Sequence, residues 1–286
     1  ITSSVITNTS TDSQGWFGYG LAMGGGATGL VTDSTVTKNR GVGILVDGQG
    51  SDLSVKRTHI GETRTNFPVA TGMGVIVQNN ATATIDDSAV VKNEAPGLWL
   101  STGATANVTG TVFDGNLFSG ISVIDAEGTF EENRILMNQF HSGEGGAAGV
   151  FGWRLDSGSL FEVVMRKNII EDHTAGVYFR DNAIGMSLLF QGNLFRRNGY
   201  YPYVPQFLQV NSPVGATLSE NCFKESALHV FLDSSAAPNL LGNYYEAPLE
   251  NFHTIKQQRC GTHLQLSPAS ISQEILPSPE NFVSYC

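Results

Sequence analysis

Charged residues are scarce in this chain, 15% of 286, and basic ones are scarcer still. The 16 Lys and Arg stand against 26 Asp and Glu, for a net charge of −10 and a pI near 5.0. No basic run interrupts that balance. A nucleic-acid backbone or an anionic membrane surface would be repelled, so neither is expected as a partner. Long apolar runs are missing too. No stretch approaches the ~18 residues of a membrane-spanning helix, and no membrane-embedded segment is expected. The chain opens on Ile1 rather than Met, with no recognisable signal peptide, which suggests a mature or trimmed fragment. Proline is modest at 10 residues, whereas Gly reaches 33 and hydrophobic residues 41%. That composition suits many short strands joined by tight turns, not a disordered chain.

Cysteine is rare as well: Cys222, Cys260 and Cys286. An odd number leaves at least one unpaired or bonded to another chain. Cys222 lies in a repeat unit, Glu220-Asn221-Cys222-Phe223, where it reads as a small packed side chain. Cys260 and Cys286 lie in the tail, and a bridge between them would stabilise it by about 3 kcal/mol on a loop-entropy basis. A Cys260–Cys286 disulfide is therefore expected, with three free thiols as the alternative. The disulfide favours an extracytoplasmic location, secreted or at the cell surface.

What the chain does have is a repeat. Val31…Val36…Asn39, Ile85…Val90…Asn93, Val108…Phe113…Asn116, Phe130…Ile135…Asn138 and Phe190…Phe195…Asn198 share one pattern. Each places an apolar residue eight before an Asn and another three before it. Val164…Ile169…Asp172 fits with Asp in place of Asn, Leu218…Phe223…Ser226 fits with Ser, and Val5 and Asn8 fit at the start. Alternating apolar strands follow, opening at Gly20, Gly43, Gly74, Gly97, Gly120, Gly149 and Gly176, with spacings of 23, 31, 23, 23, 29 and 27. A base period of 23 with insertions predicts stacked rungs of short strands. One rung cannot bury its apolar face alone, and stacking gives one continuous core. Asn is expected to hold the left-handed turn and to bond neighbouring amides, and Gly to serve the bend before the next strand. A leucine-rich repeat is excluded by the lack of a Leu-x-x-Leu-x-Leu pattern and of a helical half-repeat. The calcium-binding nonapeptide is excluded because no Gly-Gly-x-Gly-x-Asp recurs. The predicted architecture is an all-β, right-handed, single-stranded parallel β-helix of about eight rungs over residues 1–246. Residues 247–286 break the repeat, carry four Pro, and form an irregular tail or cap.

The runs Gly43-Ile-Leu-Val-Asp-Gly-Gln-Gly-Ser-Asp-Leu-Ser-Val and Gly74-Val-Ile-Val-Gln-Asn-Asn-Ala-Thr-Ala-Thr-Ile resemble the right-handed β-helix repeats of bacterial secreted and surface proteins, the pectate-lyase-like superfamily. The resemblance spans roughly residues 1–246. It implies the fold; it leaves activity open among polysaccharide lyases, hydrolases, epimerases, adhesins and scaffolds. Enzymes of that superfamily carry motifs that are missing here: Asp-Pro-His-Glu as in alginate epimerases, Trp-Ile-Asp-His and Arg-x-Pro-x-x-Arg as in pectate lyases. Asp86-Asp87 lies in an ordinary repeat rather than in the paired-Asp motif of polygalacturonases.

Function is sought where the period fails. Insertions follow Asn8, Ile60, Asn138 and Asn198, all at one corner of the predicted coil. Equivalent corners align at about 4.8 Å per rung, so these loops should line one edge, where function usually resides. Their Trp16, Phe17, Phe67, His141, Tyr200, Tyr201 and Tyr203 are the candidate ligand-binding residues, suited to a glycan or a protein surface. Sealing of the core edge by the same rings is the alternative. The chain enters in mid-rung, so upstream sequence, or an upstream domain or partner capping the first rung, is expected. The densest charged stretch holds Arg154, Asp156, Arg166, Lys167, Glu171, Asp172, His173, Arg180 and Asp181. Of these, Arg154, Asp156, Arg166, Lys167, His173 and Asp181 are the candidate catalytic residues, should they converge in one groove. No two of the six His, and no His and Cys, have metal-ligand spacing, so no metal or cofactor is expected. Two functions fit: a non-catalytic extracytoplasmic scaffold or adhesin-like module binding a glycan or protein through its loop-bearing edge, or a polysaccharide-active lyase, hydrolase or epimerase.

Overall fold

The computed structural model describes residues 1–15, 17–65, 71–138, 148–155, 161–181, 187–198, 207–210, 216–225, 230–233, 242–245, 257–259 and 262–264. Among them there is no helix. The strands fall into three sheets of ten, eleven and eight strands. The chain visits them in a fixed order, ten-stranded, eleven-stranded, eight-stranded, and then begins again. The first rung is Val5–Thr7, Leu21–Met23 and Thr28–Thr32; the last complete one is Leu194–Arg196, Phe207–Val210 and Ala216–Ser219. The eight strands of the smallest sheet thus mark eight complete rungs, as the repeat predicts. Pairing between rungs is parallel, with one exception: Gln257–Arg259 and Thr262–Leu264 form an antiparallel pair at the far end of the eleven-stranded sheet.

The register of the ten-stranded sheet shows why these residues fold this way. Val36, Ile60, Val90, Phe113, Ile135, Ile170, Phe195 and Phe223 stand one above another. All eight are buried from water. A strand turns alternate side chains to opposite faces, so one β-branched or aromatic residue in a three-residue strand suffices to feed the core. Toward its C-terminal end the stack holds parallel rings, with Phe195 and Phe223 4.7 Å apart and 10° from coplanar. Ile121 is fully buried in the equivalent column of the eleven-stranded sheet.

The turns are built differently from the expectation. The left-handed backbone falls on the residue before the Asn, at Lys38 (φ 57), Lys92 (φ 55), Asp172 (φ 64) and Arg197 (φ 51). The Asn itself turns inward and bonds its counterpart one rung on. Asn93 Nδ2 donates to Asn116 Oδ1 (2.8 Å), and Asn116 Nδ2 to Asn138 Oδ1 (3.0 Å). Two assignments therefore shift by one residue. At the start of the chain Thr9, not Asn8, holds the ladder position, its N and Oγ1 both donating to Asn39 Oδ1. In the repeat unit that joins the sixth rung to the seventh, the ladder residue is His173, not Asp172, and the inward pair is Met165 and Ile170, not Val164 and Ile169. The glycine column is also explained by contact rather than by bending. An ideal Cβ on Gly74, Gly97 or Gly149 would lie 2.6, 2.7 and 2.7 Å from the carbonyl oxygen of the corresponding Gly in the next rung.

A second ladder runs along the corner between the eight- and ten-stranded sheets. Asn133, Asn168, Asn193, Asn221 and Asn243 are linked Nδ2 to Oδ1 at 2.9–3.0 Å, all buried. Earlier rungs use hydroxyls there: Thr58 N donates to Ser88 Oγ (3.1 Å) and Ser88 N to Thr111 Oγ1 (3.3 Å). Buried polar groups must find partners, and a stack of identical amides supplies each one with the next.

Cys222 is a small packed side chain, as expected, 2% exposed. It stands at the outward position of its strand, in register with Leu194, and it is disulfide-bonded. Cys260 and Cys286 themselves lie outside the described residues.

Candidate functional site

The strands locate the insertions. Those between Ile60 and Gly74, after Asn138 and after Asn198 all join the ten-stranded to the eleven-stranded sheet, as does residues 8–20. The far edge of the eleven-stranded sheet has longer connectors too, at 155–161, 182–186 and 211–215, where the second to fifth rungs use two to four residues. The sequence reading placed insertions at one corner and missed these. In the sixth and eighth rungs the strand of the eleven-stranded sheet is therefore joined at both ends by long connectors, and in the seventh rung at its C-terminal end.

That face is aromatic. Within Ala148–Arg154, Val150 points into the core, so Phe151 and Trp153 point out, both half-buried. Parallel register places Tyr178 beside Phe151, and Ser122, Trp99, Ile76 and Leu45 continue the row toward the N-terminus. Phe151 sits 5.7 Å from Tyr178, 5.2 Å from Phe118 and 6.5 Å from Trp153, the last two edge to face. Phe118 reaches the cluster from the corner, where its φ of 74 aims it at the strand edge. Below the cluster, Ser119 Oγ and Ser122 Oγ are 2.7 Å apart.

The residues expected at the edge are only partly described. Phe17 is 65% exposed, pairs across a bridge with Thr11, and meets Tyr19 edge to face at 6.1 Å. It lies in the first rung, away from the cluster. Trp16, Phe67, His141, Tyr200, Tyr201 and Tyr203 lie outside the described residues.

Of the candidate catalytic residues, the described side chains of Arg154, Arg166, Lys167 and His173 lie at different corners. Arg154 ends a strand of the eleven-stranded sheet, with the backbone of Asp181 beside it in register. Arg166 ends a strand of the eight-stranded sheet, and Lys167 occupies the next turn, where it pairs with Glu132 at 3.3 Å. His173 is buried at the opposite corner. Asp156 and the side chain of Asp181 lie outside the description. Three corners of a solenoid cannot present one groove. The other charges of the stretch form a surface network. Glu171 accepts from Arg196 and Arg197, and Arg197 also binds Asp172 at 2.8 Å and Glu225 at 3.4 Å. The Arg197 guanidinium holds the Asp172 carboxyl below its ordinary range. Among the described residues no group of three or more His, Cys, Asp or Glu could hold a metal ion.

His173 is the residue the sequence reading undervalued. It replaces Asn in the first ladder: Asn138 Nδ2 donates to its Nε2 (3.0 Å), and its Nδ1 donates to Asn198 Oδ1 (2.9 Å). Burial, opposed by the Asn198 bond and the Asp172 charge, pushes its pKa down to about 4 from an ordinary 6.5. The missed signal was the second ladder. Asn133 and Asn193 lie five residues before the first-ladder Asn138 and Asn198, so the same count from Asn168 lands on His173.

Comparison with known proteins agrees with the geometry. A family model, the right-handed beta helix region, matches residues 1–113 and 63–243. No curated protein and no solved structure matches the chain. Three stacked parallel sheets, two polar ladders and a family match over most of the length agree, and the chain belongs to the right-handed β-helix proteins.

Proposed function

We propose that this chain is a non-catalytic β-helix that binds a glycan across the outer face of its eleven-stranded sheet, centred on Phe151, Tyr178, Trp153 and Phe118. The observation that carries this reading is the half-buried, outward aromatic cluster on strands joined by long connectors. Apolar rings on a rigid flat sheet suit the apolar faces of sugar rings, and a glycan laid along the axis meets one rung after another. The charge pattern favours a neutral glycan. Connectors 139–147, 182–186, 199–206 and 211–215 hold no Lys or Arg, and Tyr200, Tyr201 and Tyr203 add to the aromatic supply. The separation of Arg166, Lys167 and His173 on the described scaffold supports binding without turnover. The Cys222 disulfide supports a secreted or surface location.

The test is a panel of β-glucan, xylan, mannan and polygalacturonate, assayed for binding and for released products. Binding of a neutral member is expected, weakened roughly tenfold or more by Phe151→Ala or Tyr178→Ala, since tenfold is about 1.4 kcal/mol. Product formation from any member would exclude the non-catalytic reading. Binding untouched by both substitutions would move the site elsewhere.

A further inference from the structure

From Asn93 to Asn138 the first ladder is a chain of one-way hydrogen bonds, Asn93 and Asn116 each donating through Nδ2 to the amide oxygen of the next rung. An Asn side chain offers a donor and an acceptor at every pH. A neutral imidazole also offers one of each, but it matches the ladder's direction in only one tautomer, with the proton on Nδ1 and Nε2 left to accept. Asn198 Oδ1 can only accept, so it imposes that tautomer on His173. Protonation adds a hydrogen at Nε2, facing the amide hydrogens of Asn138. Two donors then oppose each other where no water competes. Asn138 could turn its oxygen toward the ring only by withdrawing it from Asn116 N and Nδ2, both 3.0 Å away, and by withdrawing its nitrogen from Phe113 O. The mismatch would pass up the ladder instead of ending.

The ring also lies under the aromatic face. An ideal Cβ on Gly149 would stand 3.0 Å from His173 Cε1, so the imidazole packs against the start of the strand that carries Phe151 and Trp153. His173 itself leads into Ala175–Asp181, the strand that carries Tyr178. The charges around it are few. On its own segment Asp172 is adjacent, bound by Arg197, and Glu171 is bound by Arg196 and Arg197. The preceding rung brings Met137 and Asn138, which are uncharged; the following rung brings Arg197 and Asn198.

We infer that His173 is an acid-sensitive lock in the asparagine ladder: neutral, it holds the strands beneath the aromatic face in register, and protonated, it releases them and weakens ligand binding there. The second half of this statement rests on the glycan reading above; the first half does not. The test uses the full chain, ¹⁵N-labelled, and its His173→Asn variant, which restores the ladder residue used in other rungs. Imidazole nitrogen signals report the tautomer and titration of His173, amide hydrogen exchange reports Asn138 and Asn198, and the Trp153 indole N–H reports the face. In the wild type His173 should stay neutral, Nδ1-protonated, until well below pH 6. It should then protonate together with at least tenfold faster exchange at Asn138 and Asn198 and a shift of the Trp153 signal. His173→Asn should show no such step. Titration of His173 near 6.5 with no change in exchange would overturn the lock, as would an identical acid step in His173→Asn. β-Glucan, xylan and polygalacturonate, one at a time, complete the test. A polysaccharide bound at pH 7 should be released across the same step in the wild type alone. Equal retention in both proteins would overturn the regulatory half. If none binds at any pH the glycan reading fails, while the nitrogen and exchange data still decide the lock.

Discussion

Asn168→Leu measures what a ladder amide contributes, because its neighbours are all known. Asn168 is 1% exposed. Its Oδ1 accepts from Asn133 N (2.9 Å) and Asn133 Nδ2 (3.0 Å), and its Nδ2 donates to Phe130 O and Asn193 Oδ1, both at 2.9 Å. Leucine has nearly the same shape and removes all four bonds, but the groups left behind differ. Asn133 Nδ2 still donates to Val108 O, and Asn193 Oδ1 still accepts from Asn168 N. Asn133 N–H loses its acceptor outright and stays buried, at a cost of about 1–3 kcal/mol. The remaining three bonds, each partly replaced, cost about 1 kcal/mol apiece. Burial of the leucine offsets about 1–2 kcal/mol. A net loss of about 2–5 kcal/mol is expected, a large share of a typical folding free energy of ~5–15 kcal/mol. The measurement is urea unfolding followed by circular dichroism, with the slope checked for change, and amide exchange at Asn133 to place the loss in its rung. A loss under about 0.5 kcal/mol, or exchange at Asn133 no faster than before, would refute the view that the ladder is a net contributor.

Other substitutions test the register and the pH response. Ile121→Asp puts an unpaired carboxylate at a fully buried inward position, and a fall of more than about 4 kcal/mol in stability, or failure to fold, is expected; an unchanged thermal melt would mean that the strand is out of register. Stability should also depend on pH through His173. Its folded pKa lies below its ordinary value, so between about 4 and 6.5 the unfolded chain holds more protons, and stability rises with pH across that window. A shift of that size corresponds to about 3 kcal/mol, fully present above 6.5 and gone below 4. His173→Asn should flatten that part of the pH–stability curve. Losses below pH 4 should remain, because Asp172 and Asp33 keep pKa values depressed by Arg197 and Arg57.

Much of the molecule was legible in the one-dimensional pattern. A 23-residue period, an apolar residue three before a recurring Asn, and a Gly opening each strand are local consequences of stacking. Each rung must repeat the last for its side chains to find partners, so periodicity specifies rungs, core and corner without reference to three dimensions. Val36, Val90, Phe113, Ile135, Phe195 and Phe223 of the inward column were readable for the same reason; Ile60 and Ile170 were not. The pattern became ambiguous where several neighbours were apolar. In Glu162–Arg166, Val163, Val164 and Met165 are consecutive, and period alone cannot choose between two registers that differ by one residue. Pairing with Glu127–Glu131 chooses: Met165 lies opposite Phe130 and is fully buried, which passes the ladder position to His173. Long-range stacking likewise set what sequence order conceals. Phe151 and Tyr178 are 27 residues apart, and Phe118 is 33 residues from Phe151, yet one sheet face joins them. Cys222 turned outward because its neighbour Phe223 had to turn in. Repetition is written in the chain because each rung solves the same local problem. The aromatic face and the histidine in the ladder arise between rungs, where only the stacked structure brings the residues together.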